Sequence, residues 1–104
     1  MPAPPKLTDA QRRAALEKAA EARRVRAELK ALIKMGSLNI HDVLELSDTN
    51  EIISRTKVLA ILESMPKIGK VKARRIMQEI GIAESRRLRG LGDQQRAALI
   101  SEFS

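Results

Sequence analysis

The chain has 104 residues, 43% of them hydrophobic, with one aromatic, Phe103, and no cysteine. A single core of Leu, Ile, Val, Ala and Met is expected, and disulfides and thiolate metal sites are excluded. Twenty Lys and Arg against thirteen Asp and Glu give a formal charge of +7 and a pI near 10.4, which makes a polyanion the leading partner class.

No apolar run approaches the roughly 20 residues that cross a bilayer, and the N-terminal MPAPPKLTD lacks a signal-peptide apolar segment. A soluble, cytoplasmic protein with no membrane partner is expected. The charge is also unevenly spread. Residues 12–34 carry eight basic and three acidic side chains, residues 35–64 two and five, and residues 65–89 eight and two. Two basic segments flank an acidic one, a pattern that favours nucleic-acid binding over a uniformly solvated surface.

Residues 1–7, MPAPPKL, hold three of the four prolines and show no periodicity, so a flexible tail is expected. Thr8 has the form of an N-cap, with Gln11 completing a capping box and Asp9 near the positive helix end. Nothing then breaks the helix before Met35, which predicts about 27 residues and about 40 Å, ended by Gly36 and Ser37. The apolar stripe runs Ala15, Ala19, Ala22, Val25, Leu29 and Leu32, with Ile33 and Met35 close by. Large side chains occur only in its second half, so only that half should anchor to the core.

Asn39 caps a second helix over IHDVLEL. SDTNEIISRTKVLAILESM follows as one helix, or as two joined near Thr56, with the densest apolar content in the chain. It must stop before Pro66. The spacing predicts a further helix from Lys70 to Ile80, with Ala73, Ile76, Met77 and Ile80 inward and Gly81 as terminator. A basic loop, AESRRLRGLG, leads to a last helix from Asp93 to about Phe103, packing through Ala97, Leu99 or Ile100, and Phe103. The expected fold is all-α: a long N-terminal helix over residues 8–35 and a compact helical domain over residues 36–104, forming one folding unit with the second half of the first helix.

Pro66 and Gly69 bracket a tight reversal in MPKIGKVKARR. Proline presets one backbone angle and glycine supplies positive φ, leaving N–H groups around Ile68 to Val71 pointing outward at a helix start. A phosphate can accept those bonds while Lys67, Lys70 and Lys72 surround it with charge. The bland alternative is a plain helix connection with solvated lysines.

The stretch resembles a helix-two-turn-helix motif, in which two tight turns separate the helices and the second helix start meets the nucleic-acid backbone. More closely, TKVLAILESMPKIGKVKARRIMQEIGIAESRRLRGLG and the N-terminal LTDAQRRAALEKAAEARRVRAELK resemble actinobacterial integration host factors over about residues 7–104. That resemblance implies a nucleoid-associated protein that binds duplex DNA with little sequence preference, bends and compacts it, and assists phage integration, with a phage integrase as a further partner. The β-ribbon arm of the enterobacterial protein of that name has no counterpart in this composition.

Arg86, Arg87 and Arg89, three arginines in four residues beside Gly90, suit forked phosphate contacts or a narrow minor groove. In the alternative, the loop is a solvated connector packed by Leu88 and Leu91. On the first helix, Arg12, Arg13, Lys18, Arg23, Arg24 and Arg26 form a candidate second DNA surface, offset by Glu17, Glu21 and Glu28 through four-apart ion pairs.

Two related-motif readings compete. Pro2 fits the N-terminal proline nucleophile of formamidopyrimidine-type glycosylases, but Ala3 stands where that family has a glutamate, zinc-finger cysteines are missing, and the chain is too short for its β-sandwich. A ribosomal small-subunit head protein carries a similar turn and would bind ribosomal RNA, but that family ends in a long basic tail. A protein-interaction module is supported only by the acidic middle segment. His41 is the sole histidine, and no nucleophile, base and orienting group converge. The sequence therefore predicts a monomeric DNA-binding protein of the nucleoid, not an enzyme, with no cofactor and no metal.

Overall fold

Thr8 accepts the Gln11 N–H at 3.1 Å, and the Gln11 side chain accepts the Thr8 N–H at 2.9 Å. This closed capping box starts α1 (Asp9–Lys34) of a chain that the computed structural model describes over residues 8–103. The sequence-based tail, residues 1–7, lies outside those described residues. Gly36 at φ 80 ends α1 in the left-handed region, and Ser37 N–H reaches back to Leu32 O at 2.9 Å.

Asn39 and Asp42 form a second capping box that starts α2 (Ile40–Thr49). The next segment breaks twice. Asn50 caps α3 (Glu51–Ser54) by accepting the Ile53 N–H at 3.1 Å, and an extended Lys57 separates it from α4 (Val58–Ser64). The break near Thr56 was one of the two sequence-based alternatives; the break at Asn50 was not foreseen. The chain then turns into α5 (Gly69–Ile80), a 3-10 turn (Leu88–Gly90) and α6 (Asp93–Glu102). The expected all-α fold with a long N-terminal helix is the observed one. Among the described residues the sole β pairing is one antiparallel bridge, Lys57 with Arg87.

The core gathers Leu29 and Ile33 of α1, Val43 and Leu44 of α2, Val58, Ile61 and Leu62 of α4, Ala73, Ile76 and Met77 of α5, and Leu99 of α6. Each fully buried aliphatic side chain contributes about 1.5–3 kcal/mol relative to exposure. Every described side chain up to Glu21 is exposed, so the first half of α1 stands clear of this core. Three packing expectations are corrected. At about 100° per residue Leu32 and Met35 turn away from the buried Leu29 and Ile33, and are 41% and 73% exposed. On α6, Ala97 is exposed and Ala98 half-buried, because Leu99 sets the inward phase. Within α1 no ion pair forms among the described residues; the pairs found are His41–Glu45, Arg55–Glu51, Arg74–Glu84 and Arg96–Asp48.

Candidate nucleic-acid interface

Between α4 and α5 the backbone reverses in four residues. Met65 is extended (φ −66, ψ 139), as a residue before proline must be. Lys67 then takes φ 67 and Gly69 φ 69, and Ile68 N–H closes the turn on Met65 O at 3.2 Å. Ile68 is half-buried and packed on the core, so its side chain pins the turn; its N–H, expected from the sequence to point outward, is instead taken up by Met65 O. Pro66, Lys67, Gly69, Lys70 and Lys72 are exposed. No side chain caps α5, and its first turn contains no acidic residue. The positive end of the helix is therefore unquenched, with three lysines around it.

The basic loop is anchored rather than free. Leu88 is buried, at 1% exposure, and its N–H donates to Thr56 O at 3.0 Å, while Val58 N–H donates to Arg86 O at 3.0 Å. This bridge hangs the loop on the α3–α4 junction. It also aligns the arginines: Arg86 Nη1 donates to Gly90 O at 2.7 Å and Arg87 Nη1 to Arg55 O at 2.5 Å. Both guanidiniums bond neutral carbonyls, so their charge stays available, and Arg86, Arg87 and Arg89 are all exposed. Leu88 thus packs as the bland alternative required, yet the three arginines around it still face solvent. A Cβ on Gly90 would lie 2.9 Å from Arg86 Cδ, so glycine here leaves room for that arginine.

The loop meets the first residue of α4 and the turn follows its last. Seven residues of helix separate them by roughly 10 Å, well inside the footprint of one duplex.

Of the six α1 residues expected to form a second surface, Arg12, Arg13, Lys18, Arg23 and Arg24 are exposed and Arg26 is half-buried, but they do not share a face. At 3.6 residues per turn, Arg13 and Arg24 point away from the buried Leu29 and Ile33, alongside Glu17 and Glu28. Lys18 lines the groove between α1 and α3 with Glu21 and Glu51. Arg12 and Arg23 lie on a flank shared with Arg26 and Lys30, which carries no acid between those ends. That flank ends in a groove of about 220 Å³ lined by Arg26, Lys30, Arg55, Lys57 and Arg87. Sequence reasoning did not single out Lys30, Arg55 or Lys57, because only the long-range bridge from residue 57 to residue 87 brings them together.

Among the described residues no group of three or more His, Cys, Asp and Glu side chains is placed to hold a metal, and no helix is long and apolar enough to cross a membrane. Residues 33–103 match the family described as S13-like H2TH domain. The chain is 59% identical over 99 residues to the integration host factor of Mycolicibacterium smegmatis, covering 95% of this chain and 94% of that protein. To the integration host factor of Mycobacterium tuberculosis it is 58% identical, again over 95% and 94% of the two chains. A solved complex, "Structure of sIHF bound to an 8bp palindromic DNA", superposes with a TM-score of 0.82 at 50% identity, over 85% of this chain and 99% of that one. The chain belongs to the actinobacterial integration host factor family and carries its H2TH domain from the end of α1 onward.

Proposed function

We propose that this protein binds double-stranded DNA through the phosphate backbone. The turn over Pro66, Lys67, Ile68, Gly69, Lys70 and Lys72 and the loop over Arg86, Arg87, Arg89 and Gly90 make the first contacts. The observation that carries the reading is the pairing of an uncapped, lysine-ringed helix start with a loop of three exposed arginines, two of them aligned on carbonyls, at the two ends of one short helix. The 50%-identical neighbour solved with a DNA duplex supports it.

Few Asn or Gln side chains lie near these elements, so selectivity follows DNA shape and bendability rather than base edges. The inner part of the basic flank of α1, Arg26 and Lys30 leading to the groove at Arg87, supplies a second DNA surface. A duplex held on both is bent, or two duplexes are bridged, and either outcome compacts DNA. Such an architectural role belongs in the nucleoid, and it aids phage integration by shaping the DNA on which an integrase acts. It needs no catalytic group, and one copy is a complete binding unit.

A competition gel shift among duplex DNA, single strands and structured RNA of equal length tests the reading. Duplex DNA should compete best; preference for structured RNA would replace this reading with a ribosomal one.

A further inference from the structure

Leu16 is 63% exposed in a stretch of α1 where no described side chain touches the core. Arg12, Leu16, Ala19 and Arg23 recur at i, i+4, i+7 and i+11, the spacing with which a helix presents one stripe to a partner groove. An unbroken helix holds Leu16 roughly 24 Å along its axis from Leu32, so the stripe cannot fold back on its own domain.

The matching surface lies at the other end of the molecule. On α2 a shallow groove of about 480 Å³ is lined by Leu38, Asp42, Glu45, Leu46 and Thr49. Leu46 is 37% exposed, and the exposed Leu32 adjoins the groove through the bond from Leu38 N–H to Leu32 O at 3.4 Å. In a chain of charge +7 this groove contains no lysine or arginine. Asp42 accepts only the Asn39 N–H, at 3.0 Å, and Glu45 stands 3.5 Å from His41, so neither carboxylate is neutralised by a strong base.

We propose that the α2 groove receives the first half of α1 from a second copy, with Leu16 seated on Leu38 and Leu46 and the flanking arginines over Glu45 and Asp42. The charges are complementary, and the apolar spacing on one side meets an apolar floor on the other. Because donor and acceptor surfaces differ, the contact is head-to-tail and propagates as an open array. The groove is small, so the pair is weak between free molecules and forms where DNA crowds copies together. The inference rests on the DNA-binding reading only for that crowding.

The chain has no cysteine, so L16C and L46C each introduce a unique thiol. Mixed on a duplex of several hundred base pairs under mild oxidation, L16C and L46C chains should form the mixed disulfide several-fold more than either homodimer. On a short duplex that holds one copy, that enrichment should vanish. E45R should abolish cooperativity on the long duplex and leave short-duplex affinity unchanged, and R12E/E45R should restore the cooperativity. Absence of mixed-disulfide enrichment, on DNA and at millimolar protein without it, overturns the docking, as does cooperativity insensitive to E45R. Loss of short-duplex binding in the parent chain would instead count against the DNA reading, and the DNA-free disulfide assay would still decide the docking.

Discussion

Lys67 holds a left-handed backbone, φ 67, where a side chain costs about 1–2 kcal/mol relative to glycine. Its ammonium stands at the edge of the helix start it would help to charge. K67G is therefore expected to keep stability or raise it by about 1 kcal/mol while weakening duplex binding, as thermal melts and anisotropy titrations will show. A variant both less stable and equally tight would contradict the assignment. At Gly90 the backbone is not left-handed, so G90A acts only through space: the new Cβ, 2.9 Å from Arg86 Cδ, displaces a flexible side chain. The expected result is a small loss of stability, at most about 0.5–1.5 kcal/mol for the exposed Arg86–Gly90 hydrogen bond that the displacement breaks, together with weaker DNA binding because Arg86 is no longer held in place. Glycine beside arginine was visible in the sequence, but the reason for it was not. The sequence suggested phosphate or minor-groove contacts by the arginines beside it, whereas the structure adds that Arg86 itself occupies the space a Cβ would take.

At the level of elements, what the sequence revealed was local. Thr8 with Gln11, and Asn39 with Asp42, are capping boxes written within four residues, and Gly81 at φ 86 ends α5 where a left-handed terminator was expected. Asn50 carried the same kind of signal, yet the apolar density after it suggested continuity, and that density comes from α3 and α4 burying different faces. The Lys57–Arg87 bridge joins residues 30 apart and had no local signature, so the anchoring of the basic loop and the gathering of Arg55, Lys57 and Lys30 could not be read in advance.

The α2–α6 clamp was equally nonlocal. Arg96 binds both Asp48 oxygens, at 2.8 and 2.9 Å, and this hydrogen bonding, which outweighs the opposing desolvation and is aided by the guanidinium charge, holds the Asp48 carboxyl below its ordinary range. A depressed folded pKa means that the stabilisation is present above the unfolded value near 4 and is lost as pH falls through the folded value. D48N should thus melt below the parent near neutral pH, with the gap closing on acidification below about pH 4. Melts across that range check the sign; a gap that widens in acid would refute it. The effect is modest, since both partners are partly exposed.

At the scale of the molecule, a core built mainly from α2 to α6 and the second half of α1 leaves two basic regions outside it. One is the turn and loop at the two ends of α4; the other is the α1 flank that runs into the groove at Arg87. The structure extends 53 × 32 × 25 Å, long enough for the first half of α1 to reach beyond the helical domain. The alternation of basic, acidic and basic segments along the chain marked this division, although not its geometry. The acidic segment supplies α2, whose groove suits a protein partner rather than DNA.

The central claim, phosphate binding by the turn and the anchored arginine loop, is tested most directly by the salt dependence of duplex affinity for the parent chain and for R86A/R87A/R89A. The parent should lose affinity steeply with salt. The triple variant, with helical circular dichroism intact, should bind more weakly, with its log–log slope shallower by about 2–3, as expected at about 0.9 for each phosphate no longer neutralised. Equal affinities and equal slopes for the two proteins, or binding by the parent that does not change between low and high salt, would contradict it.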